Sequence, residues 1–290
     1  MPTFSFVTVD VFTDRRFGGN PLAVFPDARA MSDADMQSLA AEFNLSETTF
    51  VLPPADPANT ARVRIFNRKS EMPFAGHPNV GTGWVLAQQG RAKDGILRFE
   101  EIAGLVEVQV APEGVTIAAP QPLSLGPEMP VELVTRCVGL STSDIVTTAH
   151  RPVSATVGNS FVIAEVTGEA LTRAVPDISQ FREAAGTYTA MGPNRLPLYL
   201  YAHDGARIRA RMFSPLSGTI EDPATGSAAT PLAALLLSLT HDAERRYEIA
   251  QGVEMGRPSR LLCTARRAAD VIRASVGGNC VPVLSGEVSL

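Results

Sequence analysis

Cysteine is scarce and poorly placed for covalent or metal chemistry. Cys137, Cys263 and Cys280 are the three in 290 residues, and none belongs to a CxxC pair. That usage argues against a disulfide framework or a zinc knuckle and fits a reducing, cytoplasmic compartment. Long apolar runs are missing too: no segment approaches the roughly 18 uncharged apolar residues of a membrane span. The amino-terminal stretch MPTFSFVTVDVF alternates like a strand and lacks the basic start and apolar run of a signal peptide. Charge is modest at 19% of residues with a net of −5. The short Arg245–Arg246 and Arg266–Arg267 pairs read as solvated faces, so no basic field draws nucleic acid or anionic lipid.

Several chemical signatures are absent. There is no HExxH, the histidines (His77, His150, His203, His241) are scattered, and no cysteine pairs with them, so no metal site is expected. No GxSxG elbow supports a hydrolase. Neither a GxxxxGK[ST] loop nor a strand-linked GxGxxG prepares a nucleotide site, and no cofactor is expected. Catalysis without metal, cofactor or covalent nucleophile points to proton transfer.

What is present suits a folded, turn-rich enzyme: 45% hydrophobic residues, 23 Gly and 22 Pro. The length is comfortable for two domains. The first half reads as strand Phe4–Phe12, a turn at Gly18–Gly19 and strand Leu22–Phe25. A helix follows, with Ser32 as N-cap, Asp35 three residues on, and Met36, Leu39, Ala40 and Phe43 on one face. Asn44 tolerates the left-handed conformation that ends helices. The apolar run Thr48–Leu52 then reads as a strand, which puts Glu47 on the helix-to-strand turn. Strand Ala61–Phe66 precedes a turn-rich stretch and a helix that Pro78 opens and Gly90 ends. Segments 96–100, 106–110 and 115–119 read as strands. The Pro-rich stretch Pro120–Pro130 is the candidate linker, giving domains 1–120 and 130–290 with linker 121–129.

An internal echo carries the domain reading. Arg64-Ile65-Phe66 followed by Glu71-x-Pro73-x-x-Gly76 recurs as Arg211-Met212-Phe213 followed by Glu221-x-Pro223-x-x-Gly226, and Gly19-Asn20 is echoed by Gly158-Asn159. Order and context favour two domains of one fold related by duplication. The segment from Ala228 to about Leu239 is apolar almost all round, predicting a helix buried on every side with Pro231 in its first turn.

Both ExPxxG copies set glycine and small residues at a helix start, where unpaired N–H groups and the helix dipole bind anions. Two such starts suit a small carboxylate; the plain alternative is that Gly76 and Gly226 only permit tight turns. His77 follows the first glycine, and Asp222, Thr225 and Ser227 surround the second, offering proton-capable groups that can equally be structural, Asp222 and Ser227 as helix caps. Glu47 stands among Leu45, Phe50, Val51 and Leu52. Burial there raises a carboxyl pKa toward neutrality, as a carbon-acid base requires, and an exposed turn glutamate is the alternative.

The segments VDVFTDRRFGGNPLAVF, NLSETTFV, EMPFAGHPNVGTG, ARMFSPLSGTIEDPATGSAA, QGVEMGRPS and the late VGG together resemble the phenazine-biosynthesis isomerase (PhzF-like) family, from about residue 7 to 290. The resemblance implies an α+β, diaminopimelate-epimerase-like fold: two similar domains, each a sheet wrapped around a central helix, with the active site in the cleft between them. It implies a homodimer, and Glu47 as the acid/base that removes a proton from one carbon and returns it at another, as on dihydro-hydroxyanthranilate. His77, Asp222 and Ser227 would line the site and assist binding or proton relay. Gly76 and Gly226 would supply backbone around the substrate carboxylate, with Thr225 beside them and Asn20 bordering the site. Related racemases and epimerases place a cysteine at each helix start, where this chain has Ala75 and Ala224 with their neighbours and no thiol. The reading is a single-base isomerase acting on a small cyclic amino-acid-like carboxylate. Its rivals are an amino-acid racemase or epimerase and a non-catalytic small-carboxylate binding protein.

Overall fold

The computed structural model describes residues 1–290 and divides by internal contacts into two units: residues 1–118 with 277–290, and residues 119–276. In chain order the elements are β1 (Thr3–Val11), β2 (Asn20–Phe25), α1 (Asp33–Phe43), β3 (Glu47–Leu52), β4 (Ala61–Asn67), β5 (Glu71–Met72), α2 (Gly76–Gln88), β6 (Ile96–Glu101), β7 (Gly104–Ala111), β8 (Gly114–Ala118), β9 (Ser124–Glu128), α3 (Val131–Val138), β10 (Ile145–Val146), β11 (Val153–Thr156), β12 (Ser160–Val166), α4 (Gly168–Arg173), α5 (Ile178–Thr187), β13 (Leu198–Asp204), β14 (Arg207–Ser214), β15 (Thr219–Asp222), α6 (Gly226–Ser238), β16 (Glu244–Gln251), β17 (Ser259–Ala268), β18 (Val271–Gly278) and β19 (Cys280–Ser289).

The first unit orders its strands β19-β1-β2-β3-β4-β6-β7-β8. β1 is antiparallel to both β19 and β2, β2 runs parallel to β3, β3 antiparallel to β4, β4 parallel to β6, and the rest are antiparallel. The second unit repeats this pattern through β9-β11-β12-β13-β14-β16-β17, with parallel joints at β12–β13 and β14–β16. The repeat read in the sequence therefore corresponds to a repeated topology. β5 hangs on β4 as β15 hangs on β14. The Arg of each echo chelates its Glu: Arg64 with Glu71 at 2.7 and 2.7 Å, Arg211 with Glu221 at 2.8 and 2.9 Å. Each guanidinium also lies over the ring two residues on, 5.1 Å from the Phe66 centroid and 4.8 Å from that of Phe213.

Each sheet wraps a 13-residue helix. α2 packs against β1, β2, β3, β7 and β8, and α6 against β11, β12, β16 and β17. Close wrapping depends on small residues: a Cβ at Gly81 would come within 2.6 Å of Leu22, and one at Gly83 within 2.6 Å of Val108. In α6, Leu232, Leu235 and Leu237 are buried, each worth roughly 1.5–3 kcal/mol of transfer free energy. No helix is long and apolar enough to cross a membrane.

Three expectations need correction. Residues 121–129 are not a free linker: β9 lies within them and pairs with β11, so this stretch begins the second unit. The carboxyl-terminal residues do not stay with the second half, because β19 pairs along the length of β1. α6 begins at Gly226, which moves Pro231 from the first turn into the helix interior. There its missing N–H removes the bond that would reach the Ser227 carbonyl.

Candidate active site

In the first unit, α1 sets the position of Glu47. Ser32 Oγ accepts the Asp35 N–H at 3.1 Å, and Asn44 closes the helix in the left-handed region at φ 52°. Three residues later the chain enters β3, so Glu47 is the first residue of a strand rather than part of a loose turn, in register with Asn67 of β4. Phe50, stacked at 5.0 Å on Phe25, anchors the same strand in the core.

Glu47 keeps only 16% of its side-chain surface exposed, and its Oε2 is buried 3.5 Å from Nε2 of His77. Burial raises its pKa above the ordinary carboxylate value, partly countered by a Ser46 hydrogen bond and the Arg68 charge. Ser46 Oγ also donates to Asn20 Oδ1 at 3.4 Å, which ties Asn20, buried at the start of β2, to the same group. His77 is the second residue of α2. Ala75 before the helix has an extended backbone and makes no side-chain capping bond, so the first turn of α2, with its N–H groups and the positive end of the helix dipole, stands at this corner.

In the second unit, Asp222 ends β15 and is buried. Thr225 Oγ1 donates to Asp222 Oδ2. Thr225 is the N-cap residue of α6 and makes no side-chain capping bond. Gly226 is buried and Ser227 half-buried in the first turn. The loop owes its shape to Gln251, a residue with no role among the expectations above. Gln251 Nε2 donates to Asp222 O at 2.7 Å and to Thr225 Oγ1 at 3.0 Å, while its Oε1 accepts from Thr225 N at 3.2 Å and from Tyr199 OH at 3.0 Å. One amide thus aligns a chain of donors, Tyr199 to Gln251 to Thr225 to Asp222, that ends on a carboxylate. Ser259 Oγ fastens the same loop by donating to Pro223 O at 2.8 Å.

The structure therefore brings Asn20, Glu47, Gly76 and His77 together in one unit, and Asp222, Thr225, Gly226 and Ser227 together in the other. The two residues missed, Ser46 and Gln251, sit inside the quoted NLSETTFV and QGVEMGRPS segments; burial of a polar side chain is what marks Gln251. The three cysteines are all buried and unbridged, and burial raises each thiol pKa, that of Cys137 to about 12. No three His, Cys, Asp or Glu side chains converge on a metal-sized site.

Known proteins resemble this chain over nearly its whole length. The family described as phenazine biosynthesis-like protein (PhzC-PhzF) matches residues 9–286. An uncharacterized isomerase of Mesorhizobium japonicum is 36% identical over 308 residues, covering 99% of each chain. The trans-2,3-dihydro-3-hydroxyanthranilate isomerase of Pseudomonas chlororaphis is 36% identical over 296 residues, covering 98% of this chain and 99% of its own. A crystal structure of a Bacillus anthracis phenazine biosynthesis protein of the PhzF family superposes with a TM-score of 0.89 at 25% identity, covering both chains fully. The α+β fold is of the diaminopimelate-epimerase-like kind.

Proposed function

This chain belongs to the phenazine biosynthesis-like protein family and is an isomerase, and from that premise we propose that it shifts a proton within a small cyclic amino-acid-like carboxylate of the dihydro-hydroxyanthranilate type, with Glu47 as the single acid/base. The observation that carries the reading is the buried Glu47 carboxyl, its pKa raised, beside His77 at the start of α2. A carboxylate with a raised pKa accepts a proton from an acidified C–H, the electron pair moves into the conjugated system, and the protonated Glu47 returns the proton to another carbon as the double bond shifts. No atom is gained or lost. His77 and the N–H of Gly76 stabilise the anion formed between the two transfers. Asp222, Thr225, Gly226 and Ser227 serve the substrate carboxylate and proton relay, and Asn20 with Ser46 orients Glu47. General acid–base catalysis supplies roughly 10²–10⁴-fold, with positioning and electrostatics adding to it.

The family likeness also supports a homodimer, which light scattering on the purified chain tests, and the unbridged cysteines support a cytoplasmic location. The function is tested by proton NMR in D₂O with trans-2,3-dihydro-3-hydroxyanthranilate and a panel of cyclic and linear amino acids. Wild type should shift the double bond and take up deuterium, and Glu47→Gln should do neither while staying folded. Exchange that inverts a Cα instead would mean a racemase, and ligand line-broadening without any exchange a binding protein.

A further inference from the structure

Glu101, a second buried carboxyl, lies apart from Glu47. It is the last residue of β6, opposite Gly104 of β7, and the hairpin between them is tied to the segment before α2 by Ala103 N donating to Pro73 O at 3.1 Å. Both Glu101 carboxyl oxygens are buried and make no hydrogen bond of sound geometry. Its polar neighbour is the side chain of Asn79, in the first turn of α2. Asn79 Nδ2 donates to Ala75 O at 3.1 Å, and Asn79 Oδ1 is likewise buried without a donor. Three acceptor oxygens thus share one corner with a single amide as donor.

The charged groups on the surrounding elements are engaged elsewhere. Glu100 accepts from Ala55 N, Asp56 N and Asn59 Nδ2 at 2.7–2.9 Å. Glu71 binds Arg64, Arg98 binds Glu107, and His77 lies beside Glu47. None of them offsets the desolvation of Glu101, and burial pushes its pKa up to about 8.

We propose that Glu101 carries a proton at neutral pH and forms a carboxylic acid–amide pair with Asn79 that positions the first turn of α2. The acid O–H donates to Asn79 Oδ1, the other carboxyl oxygen accepts an Asn79 N–H, and the second Asn79 N–H holds Ala75 O. Every polar atom of the corner is then satisfied. Loss of the proton sets a bare anion against Asn79 Oδ1 and loosens the Asn79–Ala75 bond, directly beneath Gly76 and His77. Glu101 is therefore a positioning residue, and only its kinetic consequence rests on the isomerase reading.

Glu101→Gln keeps one donor and one acceptor for Asn79 but cannot ionise. Infrared difference spectra of wild type against Glu101→Gln at pH 7 should show a protonated-carboxyl stretch that titrates away near 8; the same comparison with Glu47→Gln separates the other buried acid. A folded-state pKa above the unfolded one means stability that is full in acid and lost as pH rises, so the variant's melting temperature should climb relative to wild type from the ordinary carboxylate range up to about 8 and then level off. KM should rise above that pH in wild type and stay flat in the variant, with kcat less affected. Should Glu101→Gln fail to fold, Asn79→Leu should move the same stretch to the higher frequency of a non-bonded acid. Absence of the Glu101 band at pH 7, or a stability difference flat with pH, overturns the proposal, and neither readout needs turnover.

Discussion

His77 Nε2 stands 3.5 Å from Glu47 Oε2, in polar contact but slightly too far for a tight hydrogen bond. In the proposed reaction this separation leaves the carboxylate available to a substrate C–H while the imidazole stays beside the charge that develops. Because Glu47 must be ionised to act as a base and its pKa is raised by burial, kcat/KM should fall on the acid side through an apparent pKa above that of an ordinary glutamate. Ser46→Ala should move that limb further up, since Ser46 stabilises the anion. A pH–rate profile decides it; a limb at the ordinary value would remove Glu47 from the role.

The same burial makes Glu47 a cost to the fold. Its folded pKa exceeds its unfolded one, so the stability tied to its protonated form is present in acid and lost as pH rises. Glu47→Gln should melt at a higher temperature than wild type at pH 7, with the gap closing as pH falls below the carboxylate range. Calorimetry across pH measures this.

Gln251→Leu strips the Asp222–Thr225 loop of its buried partners, leaving Asp222 O, Thr225 N and Tyr199 OH without theirs. Each unsatisfied buried group costs about 1–3 kcal/mol. Denaturant titration should show that loss, with kcat falling in the fraction that remains folded; unchanged kcat would separate the loop from the chemistry.

These sites differ in how legible they were in the sequence, and the reason is range. Ser32, Asp35 and Asn44 fixed α1 through contacts three or four residues apart, and Glu47 followed from where that helix stops. Gln251 was not legible, because Thr225, Asp222 and Tyr199 reach it only through the folded sheet. In Phe99-Glu100-Glu101-Ile102 a period of two separates the faces of the two glutamates but does not say which one enters the protein. The echo was readable because each ion pair is local, Arg64 with Glu71 and Arg211 with Glu221. The pairing of β19 with β1 joins the chain's extremes and leaves no local mark, so the carboxyl-terminal residues were assigned to the wrong half.

Arg211→Met should destabilise by about 3–5 kcal/mol, the range for breaking one side of a buried ion pair. Its side chain is 7% exposed and it also donates to the carbonyls of Leu171 and Ala174, both of which would be orphaned. Arg64→Met should cost less, because part of that network is Asp33, whose side chain is 82% exposed. Paired urea titrations test the ranking.

Native protein should resist thiol alkylation at neutral pH, since burial raises the pKa of all three cysteines. Full activity should survive iodoacetamide, and all three thiols should react only after denaturation. Rapid inactivation would reopen a cysteine-based mechanism.

Because β19 supplies the edge partner of β1, the sheet that begins with β1 can be completed only after residues 119–276 have been made. Residues 119–276 are contiguous and can collapse as soon as they emerge, whereas the first sheet waits with β1 unpaired on one side until β19 is released. Such a long-range closure raises contact order and exposes an adhesive edge during synthesis. Deleting β19 would therefore strike the unit that carries Glu47, although the two lie far apart in the sequence.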